Sequence, residues 1–427
     1  MKYRVSQRFP LLPQHTRHFT SFAKKFKARA SINGRSANSQ GDYFLVPGAT
    51  LASILMLGVL HARRMYGDKK TEELREKGIE MEFQPDVKAT FLSLLPLRSI
   101  SRCWGYLTSM EIPVWLRPHV YKAWARAFHS NLEEAALPLD KYASLRDFSV
   151  RTLKEGSRPI DADPQCLVSP VDGTVLRFGE LKGAGAMIEQ VKGFSFSVFS
   201  FLGASPLLPT TVDGLQEEPN EPITTTEERK KSWWRVSLAS PKVWDPTPSC
   251  PERGLFYCVV YLSPGDYHRI HSPADWNILL RRHFSGRLYP LNERAVRTIG
   301  NLYFENERVI LEGLWQGGFM ALGAVGAITV GSIELLIEPE LHTNKPGKKV
   351  LHPEPPEERV YECEGVGRML KKGDELGAFN MGSTVVLVFQ APIAELGEGD
   401  SSEEFKFCVR SGDKIRVGEA LGRWHSS

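Results

Sequence analysis

Three short islands of this chain carry residue types that can activate a hydroxyl group. Ser169-Pro170-Val171-Asp172-Gly173-Thr174 sets an acid in a tight turn ahead of a strand-like run. Asp266-Tyr267-His268-Arg269-Ile270-His271-Ser272-Pro273 carries two histidines three apart, and Gly382-Ser383-Thr384 precedes the apolar run Val385 to Phe389. Taken singly, each is bland: a turn Asp usually caps a backbone N–H, and Gly-Ser before a strand is usually a loop. Taken together they supply Asp172, His271 and Ser383, the set in which a histidine removes the serine proton and a carboxylate fixes the imidazole tautomer. Ser383 does not sit in a G-x-S-x-G elbow, which disfavours an ordinary α/β-hydrolase. A Gly-Ser peptide admits a different reaction, in which the Ser383 hydroxyl attacks the carbonyl of Gly382. Glycine offers no side chain to obstruct that geometry, and the resulting ester can eliminate. His268 and His271 titrate near neutral pH and are candidate proton carriers.

The elements that must position these residues differ between the two halves of the chain. From Phe91 to Leu153 the spacing of Trp115, Leu116, Val120, Tyr121, Trp124, Ala127 and Phe128 predicts a basic, amphipathic helix able to lie on an anionic membrane or to pack on its own domain. Beyond Pro159, short β-branched runs punctuated by Gly and Pro predict strands. The Pro-, Thr-, Glu- and Lys-rich stretch 204–253 reads as an insertion, and 342–358 as a polar loop. KKGDELGAF at Lys371 to Phe379 and RSGDKIRVGEALG at Arg410 to Gly422 echo a Gly-Asp turn of the kind found in biotinyl-carrier sandwich barrels, without the carrier's acceptor lysine. The expected fold class is α+β: a helical N-terminal part with a membrane anchor, then a mainly β body with sandwich-barrel elements.

Charge narrows the partners. The chain of 427 residues has a net charge of +4, but nine basic residues and no acid fall between Lys2 and Gly41. Without them 45 basic residues face 50 acidic ones, so the body has no electrostatic reason to bind nucleic acid. That Arg- and Ser-rich, acid-free stretch has the composition of a mitochondrial or plastid transit peptide, and 1–42 is expected to be a mitochondrial transit peptide with a matrix segment. Tyr43 to Leu60 is an uncharged run of 18 residues, roughly 27 Å as a helix, which suits one transmembrane span. Cys103, Cys166, Cys250, Cys258, Cys363 and Cys408 show no CxxC and no metal-ligand spacing, so neither a metal site nor a disulfide framework is expected.

From about Pro96 to the C-terminus the chain resembles the mitochondrial-type phosphatidylserine decarboxylases. The resemblance rests on SPVDGTV, EQVKGFSFSVFSFLG, YLSPGDYHRIHSP, ENERV, AVGAITVGSI, KKGDELGAFNMGSTVVLVF and GEALG in this order. The family's usual Leu-Gly-Ser-Thr is here Met381-Gly382-Ser383-Thr384, a change of similar volume and hydrophobicity. The resemblance implies self-cleavage between Gly382 and Ser383, with Ser383 assisted by His271 and oriented by Asp172. It implies a β chain ending at Gly382 and an α chain of residues 383–427 whose first residue becomes a pyruvoyl group. That carbonyl would form a Schiff base with the amine of phosphatidylserine and accept the electrons left by decarboxylation, yielding phosphatidylethanolamine. His268 would serve the decarboxylation half. The amphipathic region 90–158 would then meet the membrane, and the catalytic region 159–427 would face the intermembrane space from a single span in the inner membrane.

Two other readings make different predictions. A membrane-anchored serine hydrolase using Asp172, His271 and Ser383 would keep an uncut chain with an intact serine. A non-catalytic, membrane-tethered binding module would be indifferent to replacement of Ser383.

Overall fold

The computed structural model describes residues 95–182, 186–191, 194–203, 253–291, 293–329, 332–345, 355–361, 367–393 and 404–425. The transit peptide 1–42, the span 43–60, and residues 204–252 of the insertion lie outside the described residues. Among the described residues no helix is long and apolar enough to cross a membrane.

Three helices come first: α1 (Leu97–Ser109), α2 (Arg117–Phe128) and the short α3 (Leu145–Ser149). In α1 the buried residues Leu97, Ser101, Trp104 and Thr108 recur at helical spacing and form one stripe. α2 is shorter than the spacing predicts: it begins at Arg117, with Pro118 in its first turn, and leaves Trp115 ahead of it at 70 % exposure. Its apolar side, Val120, Tyr121 and Trp124, is buried. Tyr121 stacks on Phe148 of α3 with ring centroids 4.7 Å apart and donates a hydrogen bond to the Tyr142 carbonyl at 2.8 Å. That face therefore belongs to the protein's own core, while Tyr106, Val114 and Trp115 stay exposed.

Strands then dominate. In chain order they are β1 (Cys166–Val168), β2 (Gly173–Glu180), β3 (Met187–Val191), β4 (Phe194–Ser197), β5 (Arg253–Leu262), β6 (Arg269–His271), β7 (Trp276–Phe284), β8 (Arg308–Trp315) and β9 (Gly318–Val325). After these come β10 (Ile333–Leu335), β11 (Glu357–Val360), β12 (Arg368–Leu370), β13 (Glu375–Phe379), β14 (Ser383–Pro392), β15 (Glu404–Phe407), β16 (Lys414–Ile415) and β17 (Ala420–His425). Short helices α4 (Val198–Leu202), α5 (Glu293–Thr298) and α6 (Leu302–Glu305) interrupt them.

One antiparallel sheet runs β11-β7-β8-β9-β14-β5-β2-β16, with β12 also on β7. Smaller sheets are β1-β17-β15, β10-β13-β6 and β3-β4. β14 sits between β9 and β5, and all ten of its residues are buried. Its alternate side chains feed two cores: Val385, Leu387 and Phe389 join Cys258, Val260 and Trp315, whereas Val386 and Val388 join Tyr257, Val259 and Phe201. A strand buried on both faces needs no polar alternation, which explains the unbroken apolar run after Thr384. The expected mainly β, α+β character is found. The Gly-Asp echo is a shared turn: Asp374 accepts the Lys371 N–H and Asp413 accepts the Arg410 N–H, each at 2.8 Å. The two turns lead into different sheets, so the echo is local.

Candidate active site

Backbone hydrogen bonds draw the three islands together. The His271 N–H donates to the Pro170 carbonyl at 2.8 Å, joining the first island to the second. The Phe379 N–H donates to the His268 carbonyl at 2.9 Å, joining the second to the approach to Ser383. Ser383 heads β14 opposite Leu262, the last residue of β5 before the Ser263-Pro264-Gly265-Asp266 turn. That turn is closed by the Ser263 N–H, which donates to the Asp266 carboxylate at 2.6 Å. Gly173, after Asp172, is required by packing, because a Cβ there would lie 2.4 Å from the Tyr261 carbonyl oxygen of β5.

His268 is fully buried and lies against the junction. Its Nδ1 is 2.7 Å from the Asp266 carbonyl oxygen, an acceptor, so Nδ1 carries the proton. Its Nε2 is then free to accept the Gly382 N–H at 2.8 Å. Burial pushes the imidazole pKa down to about 4, and the nearby Arg151 charge works in the same direction against the favourable Asp266 carbonyl. The ring is neutral near pH 7.

Gly382 and Met381 precede Ser383 in left-handed backbone, with φ of 39° and 76°. A Cβ at Gly382 would meet only Pro264 Cγ at 3.9 Å, so conformation rather than space asks for glycine there. Met381 is an L-residue in a region that costs about 1–2 kcal/mol. It is 3 % exposed, and its Sδ accepts the Trp104 indole N–H of α1 at 3.2 Å. Methionine and leucine are thus similar in size here but not in bonding. Asn380 is tied by the Arg146 guanidinium of α3 at 3.1 Å and by Glu334 of β10 at 2.6 Å. Ser383 is wholly buried and its hydroxyl donates to the Val325 carbonyl at the end of β9. Next to it the buried Thr384 hydroxyl has no hydrogen-bond partner.

Asp172 and His271 are near one another without being bonded. Asp172 accepts the Arg158 Nε at 2.9 Å and the Val417 N–H at 2.8 Å, and Arg158 also reaches Glu134 at 2.9 Å. His271 Nδ1 donates to the Gly373 carbonyl at 2.8 Å, leaving Nε2 to accept the Tyr267 hydroxyl at 3.1 Å. Burial keeps the Tyr267 phenol protonated, its pKa pushed up to about 12. Burial likewise lowers the His271 pKa, opposed by the Gly373 carbonyl and by the charges of Glu375 and Asp172. Among the described residues no hydrogen bond joins His271 to Asp172 or to Ser383.

Of the residues singled out from sequence, His268 is hydrogen-bonded to Gly382, the residue ahead of Ser383, while Asp172 acts on His271 through its charge alone. Arg158, Tyr267, Trp104 and Val325 are partners that sequence reasoning missed. Only Tyr267 had a local signal, lying between the second island's Asp and its histidines. Among the described residues no group of three or more His, Cys, Asp or Glu could hold a metal, and the four described cysteines are free thiols.

The family model described as Phosphatidylserine decarboxylase matches residues 145–423, more than half of the chain. A relative from Arabidopsis thaliana named phosphatidylserine decarboxylase proenzyme 1, mitochondrial, is 62% identical over 443 residues, covering 99% of this chain and 96% of the relative. A protein of the same name from Oryza sativa is 59% identical over 421 residues, covering 96% of this chain and 94% of the relative. Another from Saccharomyces cerevisiae is 36% identical over 379 residues, covering 77% and 73%.

Proposed function

The chain belongs to the phosphatidylserine decarboxylase family, and with that as premise we propose how its residues convert phosphatidylserine to phosphatidylethanolamine: self-cleavage at Gly382-Ser383 turns Ser383 into the pyruvoyl group at which the lipid is decarboxylated. The observation that carries this reading is the junction itself. Gly382 is gripped through its N–H by neutral His268, and the Ser383 hydroxyl is buried one bond beyond.

In the first stage the Ser383 hydroxyl adds to the Gly382 carbonyl and the C–N bond breaks, leaving an ester and a free amine at residue 383. Loss of the residue 383 α-proton then breaks the Cβ–O bond and releases the Gly382 carboxylate. The remaining enamine tautomerises and takes up one water, expelling ammonia. A Ser383 at zero exposure suits such an internal attack, whereas a hydrolase acting on an external substrate needs an accessible nucleophile. Asp172, His271 and Ser383 share this stage, with His271 as the base. It is neutral, its Nε2 is an acceptor, and Asp172 stands by to favour the charged form. The Tyr267 hydroxyl must leave Nε2, or pass its own proton on, for His271 to serve Ser383. Left-handed Met381 and Gly382 hold the junction in a conformation that cleavage relaxes.

The residues present fit the group: its carbonyl carbons come from Ser383 alone, at the head of a rigid, doubly buried strand. Once formed, it would supply a carbonyl able to accept the electron pair left on the substrate α-carbon when carbon dioxide departs. Removal of Gly382 frees His268 Nε2 to hold or return a proton at the substrate α-carbon. Exposed Tyr106, Val114 and Trp115 are proposed to meet the lipid surface, in a protein placed in the mitochondrial inner membrane and facing the intermembrane space. Phenylhydrazine, which condenses with carbonyls, tests the reading. It should inactivate the protein and add its mass less one water to a fragment of residues 383–427 alone. Labelling of no such fragment would defeat the proposal.

A further inference from the structure

A cavity of about 480 Å³ is lined by the residues that hold the two histidines rather than by the histidines themselves. Asp266, whose carbonyl holds His268, and Tyr267, whose hydroxyl holds His271, both line it, together with Asp172, Arg158 and Phe128. So does Arg151, which is 4 % exposed.

Arg151 is unlike the other buried cations around it. Arg158 is matched by Asp172 and Glu134, and Asp266 closes its own turn. Arg151 has no carboxylate within salt-bridge distance among the described residues; its buried Nε has no partner, and its other two nitrogens reach only the Phe148 and Gly265 carbonyls, each at 3.4 Å. The guanidinium carbon rests 4.9 Å from the Phe148 ring centroid. A buried charge is normally paired, and one left unpaired beside a cavity is poised for an anion. Exposed Lys414 and Arg416 add positive charge to the same cavity lining.

Resting on the decarboxylase reading, we propose that Arg151 binds the phosphodiester of the phospholipid headgroup in this cavity, holding the serine moiety toward His268. Two anions are available on the substrate, and the chemistry separates them. A cation on the carboxylate would stabilise the very group that must leave as neutral carbon dioxide, and so would oppose the reaction. The phosphodiester keeps its charge from substrate to product, so gripping it lowers KM without stabilising the ground state selectively. The size of the cavity suits a headgroup, which leaves the acyl chains outside.

The test compares the parent with Arg151→Gln and Arg151→Lys, using sn-glycero-3-phosphoethanolamine, which has the phosphodiester but no carboxylate and no acyl chains. In the mature protein, Arg151→Gln should raise both its inhibition constant and the KM for phosphatidylserine about ten- to hundredfold, the loss of a charge-assisted hydrogen bond, with kcat changed far less. Arg151→Lys, which keeps the charge, should fall between the two. An inhibition constant unmoved by Arg151→Gln would overturn the proposal, and a rise in kcat beside it would assign the carboxylate instead. Calorimetric binding of the same compound to Ser383→Ala chains, with and without Arg151→Gln, needs no pyruvoyl group. Loss of binding there upholds the site even if self-processing fails, and equal binding in both refutes it.

Discussion

Gly382 donates its backbone N–H to His268 Nε2 at 2.8 Å, which ties the residue ahead of the scissile bond to a buried, neutral imidazole. That N–H belongs to the Met381–Gly382 peptide, so the histidine sets the plane from which the Gly382 carbonyl is presented to Ser383. Replacing His268 by alanine leaves a buried donor unpaired, at about 1–3 kcal/mol. His268→Ala should slow self-cleavage in a time course followed by intact mass, and whatever fraction is cut should not decarboxylate. His268→Gln, which can still accept the N–H, should cleave faster than the alanine variant yet remain inactive on the lipid.

The state of His268 should change with maturation. Burial holds its pKa at about 4 in the uncut chain, and departure of the Gly382 end admits water and removes the N–H that favours the neutral ring. NMR titration of the imidazole should give a low value in the Ser383→Ala chain and a higher one, closer to the ordinary histidine range, in the cut protein. Identical titrations would dissociate His268 from the junction.

Self-cleavage should fall with acidity. His271 must be neutral to take the Ser383 proton, and burial lowers its pKa from the usual value. The rate should be flat above that pKa and drop tenfold per pH unit below it, with the inflection on the acid side of about 6.5. An inflection above 6.5 would remove His271 as the base.

Trp104 and Met381 should act as a unit, since the indole N–H of one donates to the sulfur of the other. Trp104→Phe should slow cleavage in the chain as it stands. In a Met381→Leu background, where the acceptor is already gone, the same substitution should cost much less, a non-additivity readable in the four rates.

Asp172 and Arg158 form a largely buried pair, with side chains 9 % and 12 % exposed. Asp172→Ala strands the guanidinium beside Glu134 alone and should destabilise the fold by up to about 3–5 kcal/mol in denaturant unfolding of uncut chains. The double change Asp172→Ala with Arg158→Met should recover much of that stability. Cleavage should stay slow in the double variant if Asp172 also serves the chemistry, and should recover if its role is only to hold Arg158.

Much of the site was legible because its turns are local. Ser263 to Asp266 and Lys371 to Asp374 are each closed by hydrogen bonds within four residues, and β14 declares itself by its unbroken apolar run. Spacing could not decide between the histidines. Residues three apart on extended chain face opposite ways, and nothing local says that His268 rather than His271 looks at Gly382. The supporting contacts were invisible for another reason: Trp104 and Met381 are 277 residues apart, and Ser383 and Val325 are 58 apart. Only the tertiary fold, the packing of α1 in one case and the β9–β14 pairing in the other, brings such pairs together. Periodicity around Trp124 does not say whether a lipid or Phe148 covers the apolar side of the helix.

The central claim is most directly tested by the intact mass of the purified protein beside its Ser383→Ala variant. The account predicts that the parent separates into a large chain and a fragment of 45 residues, blocked at its N-terminus and lighter than the serine form by the mass of ammonia, while the variant stays whole. A parent that also stays whole, with an unmodified Ser383, would contradict it.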